Sequence, residues 1–512
     1  MHSEEQVAVG VAALYLANIV TLVLNTLFLV LLTNWVTVQE VGLVTLLNVV
    51  VVSVATVAVL ALPISGTGLT ATPPAVTRFL SEFVGERRGS ARRIYLISSG
   101  ICGIVSVAAA VLVSIPAVAS ALAGDLGHGA VLFAGLDAIA YSFAQLAAYS
   151  MLGRGRAPAA GKLIIGSSVV RYTAAAGLLI SGAGPSGVFA GFIVGDALQA
   201  LLGNALVFRD VGQTRAAVTD MGPVRRYMIS VFAAALVGLA VSQTDKVLAL
   251  IQKGLFSIAL YNVASVGAAV ASFAPAAATN VLVPALISYG PDVEKKRSLV
   301  RKYTRYITIV AMPMGFELAA LSPFLLQVFG VQYASAAPVL AIISISIALT
   351  AVVSVYASTL LVGDKAHYFT YSSILSLAGL ISVAILTVPT LGLTGVALGR
   401  AAMVFVMLGA VSYFVRGSRM LVLDTVAYVK SFGAAGAMSV LTYSALCLLQ
   451  SFDLQSRAGA VVGSIVMIPV GLSIYSILMK LIKGFSQDDI DFVDALVPRR
   501  LRFVSKLARK FL

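Results

Sequence analysis

Seven ionisable residues sit inside long apolar runs of this chain: Asp137, Arg171, Asp196, Asp245, Lys246, Glu317 and Arg400. Burying a charge without a partner is expensive, so residues of this kind are functional candidates by default. Arg171, Arg400 and Lys246 are cations able to hold an anionic head group, and the planar fork of arginine grips phosphate bidentately. Asp137, Asp196, Asp245 and Glu317 are carboxylates able to take up a coupling proton or Na+. The same set has a plainer reading, as buried structural pairs such as Asp196 with Arg171 or Arg400, with Lys246 snorkelling to the nearer interface. Pro63, Pro275 and Pro313 interrupt apolar runs, as do Pro73, Pro74 and Pro284. Membrane helices tolerate such breaks either as hinges or as static kinks.

Other chemistry is excluded. His2, His128 and His367 are scattered, and Cys102 and Cys447 both lie in apolar runs, so neither a metal cluster nor a disulfide framework is expected. The chain contains no G-x-x-x-x-G-K-[ST] signature for a nucleotide phosphate. No cofactor is expected, and an ion gradient or the membrane potential is left as the driver of any transport.

The elements that position these residues follow from composition. Of 512 residues, 59% are hydrophobic and 11% charged, where a soluble domain carries about 25% charged residues. The apolar runs are long and do not alternate with polar residues, which predicts spanning helices rather than barrel strands. Spans are expected near 8–33, 41–64, 94–122, 130–152, 163–182, 187–208, 227–250, 256–288, 306–329, 336–361, 369–388, 391–414, 431–450 and 458–481. The fold class is therefore all-α: a polytopic membrane protein of about fourteen helices. On these spans Arg171 lies about 12 Å from the cytoplasmic end of its helix, at 1.5 Å per residue. Asp196, Arg400 and Glu317 fall near mid-span. The run from Val7 to Leu32 is too long for a signal peptide core, so no cleavable leader is expected.

The net charge of +14 is the positive-inside bias added up over many loops rather than a nucleic-acid surface. Alternate connections and the C-terminal tail together carry all but five of the 35 Lys and Arg residues, the exceptions being Arg171, Lys246, Lys253, Arg400 and Arg457. The basic connections are expected in the cytoplasm together with both chain ends, and Trp35 at the opposite interface. The short connections leave no room for a loop-borne catalytic site, so an enzyme is not expected.

An internal repeat is visible. Gly191-Phe192-Ile193-Val194-Gly195-Asp196-Ala197 opens the sixth span and Gly395-Val396-Ala397-Leu398-Gly399-Arg400-Ala401 opens the twelfth. Both read G-x-x-x-G-charge-Ala after a short glycine-containing turn. The six-helix offset keeps the orientation, and parallel repeats of this kind form a substrate path between two halves in transporters. Small-xxx-small spacing also recurs wherever membrane helices pack. The expected organisation is an N-lobe over 1–210, a C-lobe over 211–430, two extra spans over 431–483 and a cytoplasmic tail over 484–512. In that tail Leu501, Val504, Leu507, Ala508 and Phe511 share a helical face flanked by Arg499, Arg500, Lys506, Arg509 and Lys510, the pattern of an amphipathic helix on an anionic leaflet.

The stretch Pro313-Met314-Gly315, then Phe329-Gly330-Val331-Gln332-Tyr333-Ala334-Ser335-Ala336-Ala337-Pro338-Val339-Leu340, resembles the ninth-to-tenth span region of polysaccharide flippases of the multidrug/oligosaccharidyl-lipid/polysaccharide exporter superfamily. Glu40-Val41-Gly42-Leu43, Arg78-Phe79 ahead of Arg92-Arg93, Asp245-Lys246 followed by Tyr261, Pro284 with Ser288, and Gly392-Leu393-Thr394-Gly395-Val396-Ala397 agree in order and spacing. Lys246 stands where family members often carry Arg. The resemblance implies two pseudo-symmetric six-helix bundles facing each other in a V, with two C-terminal helices added. It implies a flippase in the cell membrane that moves a polyprenyl or dolichyl phosphate- or pyrophosphate-linked oligosaccharide to the outer leaflet by alternating access, for surface polysaccharide or glycoprotein assembly. The expected partners are that lipid-linked substrate, membrane lipids, H+ or Na+, and glycan-assembly enzymes, with no nucleic acid. Two alternatives stay open: a cation-coupled multidrug exporter of the same superfamily, and a membrane glycosyltransferase or polymerase.

Overall fold

Apolar sequence with internally satisfied backbone leaves helix as the default, and the computed structural model is helical throughout its described residues, with no strand. The structure describes residues 4–59, 75–82, 88–211, 222–272, 282, 286, 289–290, 292–362, 365–417, 420, 422, 424–449 and 457–485. The helices are α1 (Glu4–Trp35), α2 (Val38–Val59), α3 (Ala75–Glu82), α4 (Arg88–Ser114), α5 (Pro116–Ala123), α6 (His128–Gly153), α7 (Ala157–Ile180), α8 (Gly184–Val211), α9 (Gly222–Ala268), α10 (Val293–Phe329), α11 (Ala337–Val362), α12 (Ala366–Leu391), α13 (Leu393–Arg416), α14 (Thr425–Leu449) and α15 (Arg457–Leu481). Among the described residues, 13 segments are long and apolar enough to cross a membrane. The protein is a multi-pass membrane protein.

Local sequence sets the ends of several helices. Thr37 and Glu40 form a capping box at the start of α2: the Glu40 amide donates to Thr37 Oγ1 at 3.3 Å and the Thr37 amide to Glu40 Oε2 at 2.8 Å. Asp292 caps α10 by accepting from the Lys295 amide at 3.0 Å. The expected third span, 94–122, is broken: α4 ends at Ser114, and α5 begins with Pro116 as its first residue. Ile115 between them is extended (φ −61°, ψ 126°), as a residue ahead of proline prefers.

The long helical run of α9 is two helices meeting at Lys253 (φ −144°, ψ 33°) and Gly254 (φ 65°, ψ −146°). The left-handed φ at Gly254 is open to glycine and strained for other residues. The expected seventh and eighth spans meet at this turn. The later part of the eighth span, Pro63, Pro73, Pro74, Pro275, Pro284 and the tail from Ser486 lie outside the described residues.

The chain forms two compact units, one running from the N-terminus to Val263 and the other from Ala264 onward. In the first, α8 packs between α6 and α7, α7 rests on α1, and α6 is covered by α2 and α4. In the second, α10 packs against α11, α14 and α15, and α13 packs against α11 and α12.

The two glycine motifs do the same local work. On α8, Gly191 lies against the backbone of Ala174 and Ala175 and Gly195 against that of Arg171, so that a Cβ at either position would overlap α7. On α13, a Cβ at Gly395 would fall 2.6 Å from the Thr387 carbonyl carbon, and one at Gly399 would fall 2.8 Å from the Leu380 oxygen, both on α12. Each motif thus lets a helix approach the one before it to backbone contact.

Candidate functional site

The close approach of α8 to α7 positions the most charged part of the first unit. Gly195 brings the two backbones together at Arg171, and the next residue, Asp196, pairs with that arginine. Arg171 Nη1 lies 3.1 Å from Asp196 Oδ2 and donates to Asp196 Oδ1 at 3.3 Å. Both side chains are nearly enclosed, at 13% and 6% exposure. The guanidinium stacks over Phe192, 4.1 Å from the ring centroid, with Tyr141 at 5.4 Å and Tyr172 at 5.9 Å. Flat faces on aromatic rings favour arginine over lysine here. Its Nε meets no hydrogen-bond acceptor among the described residues.

Asp137, on the facing side of α6, is fully buried and lies within electrostatic reach of both Asp196 and Arg171. Neither of its carboxyl oxygens meets a donor among the described residues. The cluster therefore sets two carboxyls against one guanidinium in a dry setting. With both acids ionised it carries one uncompensated negative charge, and such a charge is costly away from water. A proton or a monovalent cation would balance it. Among the described residues no three His, Cys, Asp or Glu side chains come together, so this is a two-carboxylate site.

A polar row on α8, absent from the sequence candidates, extends the cluster. Gln199 accepts from Ser167 Oγ at 2.7 Å and donates to the Ala144 carbonyl at 3.1 Å. Asn204 donates to the Phe143 carbonyl at 3.0 Å and accepts from Tyr95 at 2.7 Å. Tyr172 donates to Asn25 of α1 at 3.3 Å. The signal was there: Asp196, Gln199 and Asn204 recur at helical spacing within an apolar run.

The remaining candidates have other settings. Asp245 accepts from Tyr261 at 3.0 Å and from the Lys246 amide at 2.9 Å, so it ties the two helices of α9 across their turn. Lys246 and Arg400 are half-buried, Arg400 one residue beyond the contact of Gly399 with α12. Glu317 is buried on α10 and accepts from Thr442 of α14 at 3.2 Å. Pro313 lies inside α10, which continues through it. Of the seven ionisable candidates, the structure brings Asp137, Arg171 and Asp196 together.

Residues 90–338, which contain all three, match the family model for polysaccharide biosynthesis proteins. Solved structures add the architecture. The lipid II flippase MurJ in an inward closed conformation superposes with TM-score 0.62 at 13% identity, over 91% of this chain and 98% of its own. An inward-facing multidrug resistance MATE family transporter of the MOP superfamily gives 0.60 at 16%, over 78% and 95%. The chain has the MOP-superfamily fold. A MOP transporter from Pyrococcus furiosus, described with a binding pocket of reversed polarity that suggests a different function, gives 0.58 at 15% identity over 82% and 99%. Among curated proteins no match was found. Within the MOP fold of this chain, the charged cluster occupies the first unit, between α6, α7 and α8.

Proposed function

We propose that this protein is a flippase that carries a lipid-linked oligosaccharide, joined through phosphate or pyrophosphate to a polyprenyl or dolichyl chain, from the cytoplasmic to the outer leaflet. The observation that carries the reading is that the segment matching polysaccharide biosynthesis proteins contains the buried Asp137–Arg171–Asp196 cluster. A phosphate-bearing head group entering an apolar passage needs a cation, and Arg171 supplies one whose geometry suits phosphate. Arg400 is the second cation proposed for the head group, with Lys246 as a third.

Arg171 is held by Asp196, and this supplies a coupling logic. The carboxylate and a substrate phosphate compete for the same guanidinium. When a proton or Na+ neutralises the Asp137–Asp196 pair, the hold on Arg171 weakens and its fork becomes available to the anion. When the cation leaves, Asp196 reclaims Arg171 and the phosphate is displaced. Each ligand then shifts the arrangement only by its differential affinity for the two states, as alternating access requires. The hinge role of Pro313 and the assignment of Asp245 as a coupling acid belong to the same proposal.

The test is a liposome assay in which a lipid-linked oligosaccharide on one leaflet is scored by a membrane-impermeant glycosidase. Flipping that needs the protein and responds to an imposed H+ or Na+ gradient supports the reading. A multidrug exporter would instead move an organic cation under the same gradient and leave the glycolipid in place.

A further inference from the structure

Glu317 is left unused by that cycle, and its surroundings are unusual for an acid. It lies on α10 where α14 and α15 pack, and its residue exposure is 4%. Thr442 Oγ1 on α14 donates to Oε2 at 3.2 Å, while Oε1 is buried without a hydrogen-bond partner. From α15, Gly471 presents its Cα directly to the carboxyl group, occupying the side where any Cβ would overlap it. Toward the C-terminal end of α10 the space is closed by Leu321, Phe324, Leu446 and Met467. Toward its other end Phe316 meets Phe432 edge to face at 4.9 Å.

The charged and titratable groups of the surrounding helices are engaged elsewhere or lie turns away. On α10 itself, Arg305 precedes Glu317 by three turns and bonds Asp424 at 3.3 Å. On α14, Lys430 donates to the Lys483 carbonyl at 3.0 Å, Tyr443 and Cys447 are exposed, and Tyr428 lies about four turns before Thr442. On α15, Tyr475 is bonded to Ser431 and to the Ile309 carbonyl, and Arg457 and Lys480 stand at the two helix ends. On α11, Ser344 and Ala348 face α10, and the one titratable side chain, Tyr356, donates to the Val422 carbonyl. No ion pair reaches Glu317 among the described residues.

We propose that Glu317 is an exchangeable proton site, occupied while the α14–α15 pair is docked on α10 and emptied when that contact loosens and water reaches the carboxyl. Three oxygens, two from Glu317 and one from Thr442, are too few to replace the shell of a metal cation but suffice for a proton. A carboxylate would have one donor and no counter-charge in this enclosure, whereas a carboxylic acid leaves no buried charge. The proton therefore reports, and reciprocally controls, the docking of the two C-terminal helices. The inference concerns the coupling ion and does not depend on which substrate is carried.

Infrared difference spectroscopy on the full-length protein in liposomes tests it directly. The pH is stepped from acid to alkaline at fixed sodium in wild type, Glu317→Gln and Thr442→Val. The amide of Glu317→Gln keeps the acceptor for Thr442 and nearly the same shape. A carboxylic C=O band is expected in wild type that disappears as the pH rises, is missing in Glu317→Gln, and moves to higher frequency in Thr442→Val through loss of its hydrogen bond. Identical carboxylic bands in wild type and Glu317→Gln overturn the proposal. So does a Glu317 band that persists at every pH, which marks a permanently neutral structural acid, or one that responds to sodium at fixed pH. Because the bands are read without any substrate, failure here is separate from failure of the flippase reading.

Discussion

The Tyr475 hydroxyl on α15 lies 3.1 Å from the carbonyl oxygen of Ile309 on α10, the acceptor that Pro313 deprives of its helical donor four residues on. Ser431 of α14 joins the same group at 2.8 Å from Tyr475, and its hydroxyl also reaches the Thr308 carbonyl at 3.3 Å. The two C-terminal helices thus supply the hydrogen bond that a proline removes from α10. Pro323 is handled locally, with Ser322 donating to the freed Ala319 carbonyl at 2.8 Å.

Tyr475→Phe should therefore destabilise the protein by about 1–2 kcal/mol, the cost of orphaning a buried carbonyl. In a Pro313→Ala background, where the helix regains its own donor, the same change should cost clearly less. Thermal unfolding of the four variants in detergent measures the coupling, and equal losses in both backgrounds would contradict it.

The Arg171–Asp196 pair makes a sharper demand. Arg171→Ala leaves two buried carboxyls without a cation and should cost about 3–5 kcal/mol, seen as lower monodisperse yield. Arg171→Ala combined with Asp196→Asn should recover much of that yield while remaining inactive. Arg171→Lys should fold and keep part of the activity through charge alone. If Arg171→Ala is as well expressed as wild type and transports normally, both the pairing and the substrate role fail.

Gly195→Val and Gly399→Val should each be damaging, because each motif brings two helix backbones into contact where a side chain has no room. A strain of about 1–3 kcal/mol or more is expected for each. Gly433, against which no atom lies within 4 Å of an added Cβ, should tolerate Gly433→Ala with little change. Parallel melting curves give the comparison, and a tolerant Gly195→Val would contradict the close approach.

The basic connections predict the topology. Single cysteines at Gly85, Glu294 and Ser418 should react with an impermeant thiol reagent from the cytoplasmic side alone. Labelling of any of them in intact cells would contradict that orientation.

Much of this architecture was legible in the sequence because apolar length and glycine spacing act locally. The G-x-x-x-G-charge motifs, read as an internal repeat, also carry the small-xxx-small spacing that recurs where membrane helices pack, and Gly191, Gly195, Gly395 and Gly399 make such close contacts. Asp196 with Arg171 was one of two pairings written into the residues, and the structure selects it because Gly195 seats α8 on Arg171 itself. Other features depend on which face a helix turns, and hydropathy does not encode that. Asp137 was a candidate, but its position opposite Asp196 follows from α6 packing on α8. The partners of Glu317, Thr442 and Gly471, lie far away in sequence on the two C-terminal helices. The break at Ser114–Pro116 was hidden inside a continuous apolar run, although Pro116 marked it.

The most direct test of the central claim is transport itself. Purified protein in liposomes, given a polyprenyl-pyrophosphate-linked oligosaccharide in one leaflet and an inward or outward cation gradient, is compared with Arg171→Lys and with protein-free vesicles by glycosidase accessibility of the sugar. The account predicts protein-dependent flipping that follows the gradient and falls, without vanishing, in Arg171→Lys. Flipping at the protein-free rate, by protein that is folded and correctly inserted, would contradict it.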